Sequence, residues 1–132
     1  MKVELNKIYL AGGLKSNWQE IVEGNLSDQF IFFNPRNHGL ETDSKYYTVW
    51  DIHHIKKCDI MFGYMEASNP FGYGLALEIG YARALNKTII LVNDKSKVDD
   101  AFDRYFKIVE NLADIVFENL DDAIDFLRRF SN

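Results

Sequence analysis

Within the stretch Asn69-Pro-Phe-Gly-Tyr-Gly-Leu-Ala-Leu-Glu-Ile-Gly-Tyr-Ala82, Glu78 stands almost alone as a charge. Rows at spacing four read Gly72, Ala76, Gly80, Ala84 and Leu77, Tyr81, Leu85, with Leu75 and Ile79 in a third row, so the stretch reads as a helix with little solvated face. The only other charge between Pro70 and Leu85 is Arg83, ~140° further round the helix and a poor local partner. Burying a carboxylate without partners costs several kcal/mol. Either a distant residue satisfies Glu78, or a site uses its perturbed carboxylate.

Other chemistry-bearing residues carry weaker signals on their own. Asp51 reads as a solvated helix aspartate and Tyr9 as a strand tyrosine that could simply pack in the core. Gly12-Gly13 and Gly72-x-Gly74 could hold an anion at helix N-termini, but neither fits a dinucleotide fingerprint or a P-loop, and turn geometry explains both. Asn69 before Pro70 suits a turn. His38, His53 and His54 lack the carboxylate or cysteine spacing of a metal shell, and His53 and His54 read as helix-surface residues. Cys58, the single cysteine, excludes an internal disulfide and fits a reducing compartment.

The elements that must position these groups alternate regularly. Strands are expected at Lys7–Ala11, Phe30–Phe33, Asp59–Met65, Thr88–Val92 and Ile115–Phe117. Helices are expected from Ser16 to Leu26, with Ser16 and Gln19 as a capping box, from Ser44 to Lys57 with Tyr46, Tyr47, Trp50 and Ile55 on its apolar side, through the Glu78 stretch, from Val98 to Leu112, and from Asp121 to Phe130. The polar segment Arg36 to Asp43 is a loop of a length that often carries function. Continuous apolar strands alternating with helices imply an α/β, doubly wound, five-stranded parallel sheet covered by helices on both faces. Its commonest order is 2-1-3-4-5, with the switch point between the first and third strands. Their C-terminal ends carry Gly12-Gly13 and the Asn69–Glu78 stretch, so topology and composition independently select one place.

With 132 residues, 47% of them hydrophobic, the chain has the length of a single domain spanning 1–132 with a proper core. The net charge is −5, and Lys and Arg are scattered, which argues against nucleic-acid or anionic-membrane partners. The N-terminal Met1-Lys-Val-Glu-Leu-Asn-Lys has no signal-type apolar core and no apolar run reaches spanning length, so a cytoplasmic location is expected.

Four blocks then resemble the nucleoside 2-deoxyribosyltransferase family: Lys7-Ile-Tyr-Leu-Ala-Gly-Gly13, Phe33-Asn-Pro-Arg36, Trp50-Asp51 with Asp59 eight residues later, and Asn69-Pro-x-Gly-Tyr-Gly-x-Ala-x-Glu-Ile-Gly-Tyr-Ala82. The likeness covers about two thirds of the chain, and Glu-Ile-Gly-Tyr-Ala is its most specific part. It implies a flavodoxin-like enzyme of nucleotide salvage that moves 2-deoxyribose between nucleobases through a covalent glycosyl ester, without metal or cofactor. By that resemblance Glu78 is the nucleophile, Tyr9 hydrogen-bonds it, and Asp51 assists proton traffic to the base. Asp59 matches a strand-opening, structural aspartate. Gly12, Gly13, Asn69, Gly72 and Gly74 fall in the substrate-binding stretches, with Arg36 and Trp18 at the rim.

The chemistry is consistent: a carboxylate facing the anomeric carbon stabilises an oxocarbenium-like state and then traps the sugar. The helix macrodipole near Glu78 is expected to oppose the pKa rise from burial. Phe71 stands where the nucleotide-hydrolysing branch of the superfamily carries phosphate-binding serines, which favours a nucleoside over a nucleotide. The alternative functions are an N-glycoside hydrolase of nucleosides or nucleoside 5′-monophosphates, and a non-catalytic nucleoside-binding module. The expected partners are a nucleoside, a free nucleobase and further copies of the chain. Homo-oligomers are expected because the small-residue row permits close approach and the aromatic excess leaves apolar surface over. Arg104, Tyr105 and Phe106 are candidates to serve a neighbouring subunit's site.

Overall fold

The computed structural model describes residues 4–130. Residues 1–3, part of the N-terminal stretch read above for a signal, lie outside the described residues. Five parallel strands, β1 (Asn6–Gly12), β2 (Phe30–Phe33), β3 (Ile60–Met65), β4 (Thr88–Asn93) and β5 (Ile115–Phe117), form one sheet in the order β2-β1-β3-β4-β5. The expected order and helical cover are both present. Five α-helices accompany them: α1 (Trp18–Leu26), α2 (Ser44–Lys57), α3 (Tyr73–Ala84), α4 (Asp100–Glu110) and α5 (Leu120–Phe130).

Strand alternation divides the apolar residues between two cores. On one face Ile8, Leu10, Ile60, Phe62, Ile90 and Val92 pack under α1 and α5, against Trp18, Val22, Leu26, Ile124 and Leu127. On the other, Tyr9, Ala11, Met61, Met65, Ile89 and Leu91 meet Ile55 of α2, Leu75, Ile79 and Ala82 of α3, and Phe106 and Val109 of α4. Tyr9 is therefore placed by parity: its odd position on β1 aims it at the face covered by α2 and α3. Gly63 of β3 lets α3 settle closely, since a Cβ there would lie 3.0 Å from Leu75 Cδ1 and 3.3 Å from Ile79 Cδ1.

Several local expectations yield to tertiary demands. The Ser16–Gln19 capping box does not form: α1 begins at Trp18, its N-cap Asn17 makes no side-chain cap, Ser16 donates to the buried Glu66 carboxylate, and Gln19 Nε2 donates to Gly13 O at 3.0 Å. Glu66, 7% exposed, needs a donor, and Ser16 meets that need better than a helix end open to water. Tyr46 does not join the apolar side of α2 but is 62% exposed. The all-round apolar α3 is not enclosed either, for Tyr73 is 77% and Leu77 64% exposed. Phe106 belongs to the core rather than to a surface, and His54, expected at the helix surface, stacks on Trp50 with ring centroids 4.0 Å apart.

Candidate active site

The C-terminal ends of β1 and β3 diverge into loops that cross to opposite faces of the sheet, which opens a crevice at the switch point. A cavity of about 340 Å³ occupies it. Tyr9, Asp51 and Glu78 all line this cavity, from β1, α2 and α3 respectively, as do Gly12, Gly13, Asn69, Gly72 and Gly74. The turn into α3 depends on Gly72, whose φ of 77° is left-handed and whose Cβ would lie 2.8 Å from Met65 Sδ.

The Tyr9 hydroxyl donates to Glu78 Oε2 at 2.6 Å. Glu78 is thus satisfied by a distant hydroxyl, not by a cation, while Arg83 pairs with Asp114 at 3.5 Å. Burial pushes the Glu78 carboxyl up to about 8; the Tyr9 hydrogen bond pulls it down and the Asp51 charge pushes it further up. Burial outweighs the expected dipole effect because Glu78 lies in the second turn of α3, beyond the reach of the helix terminus. Burial also raises the Asp51 carboxyl, against the Tyr9 hydroxyl and the imidazoles of His38 and His54, which lower it. Burial and both carboxylates raise the Tyr9 phenol, so it stays protonated and can only donate toward Glu78. One hydroxyl therefore sits between two carboxyl groups of perturbed acidity, the arrangement expected where a nucleophile and a proton carrier work on one substrate.

Two rim assignments are corrected. Arg36 does not line the cavity; its guanidinium donates to Leu14 O and Ser16 O, both at 2.8 Å, and pairs with Glu20 at 3.2 Å. Trp18, 2% exposed, lies in the core on the opposite face from Tyr9, with Nε1 donating to Gly13 O at 2.9 Å. Both hold the Gly13 loop from behind. Asn69 does two things: its Oδ1 accepts from Phe71 N at 3.4 Å, as a turn residue would, and its side chain also faces the cavity. Asp59 is structural, its Oδ2 accepting from Lys7 N at 2.8 Å at the far end of the sheet. Cys58 is a buried thiol pushed up to about 11 by that burial.

The cavity also includes residues that sequence reasoning passed over: Leu14, Pro35, His38, Glu41, Tyr47, Tyr73 and Leu75. The length and polarity of the loop after β2 were the signal for His38 and Glu41, but no spacing pointed to either. Among the described residues no group of three or more His, Cys, Asp or Glu side chains is gathered as a metal site.

Fold and site together define an α/β protein with a carboxylate pair at the switch point of a parallel sheet. The nucleoside 2-deoxyribosyltransferase-like family matches residues 6–96, and the chain belongs to it. This places it among enzymes of the deoxyribosyltransferase or N-glycosidase type. Among solved structures it is similar to a 2-deoxyribosyltransferase from the psychrotolerant bacterium Bacillus psychrosaccharolyticus, at 25% identity and a TM-score of 0.66, over 89% of this chain and 90% of that one. It shares the fold of a CMP N-glycosidase from Clostridium botulinum, at 21% identity and a TM-score of 0.63, over 93% of this chain and 98% of that one. No curated protein matches it by sequence.

The Tyr9–Glu78 bond is open to a kinetic test. Because that bond lowers the Glu78 pKa, Tyr9→Phe should move the rising limb of kcat/KM against pH from near 8 to higher pH, with maximal turnover reduced about tenfold or less. A pH profile of base release by both proteins checks this, and an unmoved limb would show that Tyr9 does not tune the carboxylate.

Proposed function

We propose that this protein transfers 2-deoxyribose between nucleobases through a glycosyl ester on Glu78, as a cytoplasmic, single-domain enzyme of nucleotide salvage. The observation that carries the reading is the Tyr9–Glu78 hydrogen bond beside Asp51 at the base of the cavity. With Oε2 held by Tyr9, Oε1 of ionised Glu78 is free to attack C1′. The C1′–N bond breaks, its electron pair goes to the base, and the Asp51 carboxyl supplies the proton to a ring nitrogen. A second base enters, gives its proton to Asp51, and attacks C1′ to release Glu78. The reaction is balanced without oxidant or metal.

A neutral nucleoside suits the site better than a nucleotide. The lining carries the carboxylates of Glu41, Asp51 and Glu78 and contains neither Lys nor Arg, so it offers a 5′-phosphate no cationic side chain of its own to pair with. Tyr47, Tyr73, Pro35 and Leu75 offer apolar walls for a base. Incubation with deoxyinosine and free adenine tests the reading by chromatography. Deoxyadenosine is the expected product; hypoxanthine with free deoxyribose would make the enzyme a hydrolase, with water in place of the acceptor base. No base release from purine or pyrimidine donors would overturn both.

Homo-oligomer formation is part of the proposal. Phe71, Tyr73 and Leu77 present an apolar surface on and beside α3, with Phe71 65% exposed, and Tyr73 also lines the cavity. Tyr73→Glu with Leu77→Glu should reduce the mass measured by light scattering to that of one chain. A monomeric mass for the unaltered protein at micromolar concentration would contradict this.

A further inference from the structure

One carboxylate oxygen in the site lacks a donor. Oδ1 of Asp51 is shielded from water and makes no hydrogen bond. A buried carboxylate oxygen left in that state is costly, and such groups mark places where a partner arrives during function. The His38 imidazole places Nε2 3.9 Å from Oδ1, too far for a hydrogen bond but within the range that a small ring movement closes.

The His38 ring is held in one tautomer. Its Nδ1 accepts the Leu40 backbone N–H at 2.8 Å, so Nδ1 carries a lone pair and the ring proton of the neutral imidazole sits on Nε2. The side chain is only 4% exposed although it lines the cavity, and its ring packs edge-on against Trp50 at 4.8 Å. Trp50 belongs to the same helix as Asp51, so the ring is braced against the element that carries the acid.

We propose that His38 is the positioning residue for Asp51: its Nε2–H engages Oδ1 when a base fills the cavity, which fixes the carboxyl plane and leaves Oδ2 to exchange the proton with the ring nitrogen. His38 acts as a hydrogen-bond donor and does not itself carry the transferred proton. The inference rests on the role given to Asp51 above. It explains why a loop with no recognisable motif is drawn across the cavity: the backbone turn at residues 38–40 selects the tautomer, and the tautomer presents the donor.

The groups around this pair are few. Tyr9 from β1, Glu78 from α3 and His54 from α2 face Asp51, and Glu41 of the loop lies 3.8 Å from His38 Nδ1. Three proteins separate a donor from a proton carrier and from a filler of space: the unaltered chain, His38→Leu, and His38→Gln, whose amide can place an N–H near the Nε2 position. The first readout is the midpoint of the Asp51 carboxyl titration by 13C NMR, with adenine present. Loss of a donor raises it, so His38→Leu should titrate about one pH unit higher than the unaltered protein, and His38→Gln should return most of the way.

The second readout is base exchange. His38→Leu should lower kcat about 10- to 100-fold with little change in KM, and His38→Gln should recover most of the loss. An unmoved Asp51 midpoint in His38→Leu overturns the inference whether or not the protein exchanges bases. A folded His38→Gln as impaired as His38→Leu would make His38 a proton carrier and likewise overturn it. Absence of exchange and release in the unaltered protein defeats the proposed function, while the carboxyl titration still decides the His38–Asp51 link.

Discussion

Glu78→Gln should lower base exchange by about 10⁴-fold or more, roughly 5.5 kcal/mol of barrier, because an amide cannot form the glycosyl ester. The fold should survive, since the amide oxygen can still accept from Tyr9. Stability should rise, and by an amount that depends on pH. Burial holds the Glu78 carboxyl near 8 in the folded protein against an ordinary value near 4.5, so between those pH values the folded state binds the extra proton. Ionising it as pH rises through that window costs folding free energy, a cost that Gln does not carry. Melting temperatures of the two proteins should agree near pH 4 and separate toward pH 8, with Gln the higher by several degrees, about 1 kcal/mol for each 3–5 °C in a domain of this size. A structural Glu78 predicts the opposite pattern: a destabilised variant that still turns over.

Asp51→Asn is the second large effect. The amide keeps the shape of the side chain but cannot give a proton to a departing base, so exchange between ordinary bases should fall by about 10²–10⁴-fold. The loss should depend on the leaving group. A 2-deoxyriboside of p-nitrophenol, whose anion departs unaided, needs no proton, and its cleavage should suffer far less than that of deoxyinosine. Equal losses on the two substrates would remove Asp51 from proton transfer and leave it a binding group.

Much of this site was legible in the chain. Glu78 could be singled out because an apolar helix with one acid is conspicuous by composition. The switch point followed from five apolar strand runs and their order. Tyr9 and Asp51 needed the family resemblance, since a strand tyrosine and a helix aspartate are unremarkable by pattern. Their convergence with Glu78 comes from strand parity, which aims Tyr9 at the helices that carry the two acids.

What the sequence by itself determined was local and periodic: strand and helix identity and the lone acid of α3, to which the commonest order of a five-stranded doubly wound sheet added the switch point. Only the tertiary structure decided who pairs with whom. Ser16 abandons a helix cap for Glu66 because a buried carboxylate outweighs a solvated helix end. Arg36 and Trp18 turn from the cavity to hold the Gly13 loop, because backbone carbonyls there require donors. The pKa of Glu78 is set by burial, by the Tyr9 hydroxyl and by the Asp51 charge, the last two brought to it from other elements. His38 enters the site through a loop without periodicity, carried there by chain geometry that no spacing rule encodes. Periodic patterns record which face of an element is buried; hydrogen bonds across the sheet crevice depend on which elements the packing brings together, and that is a property of the whole fold.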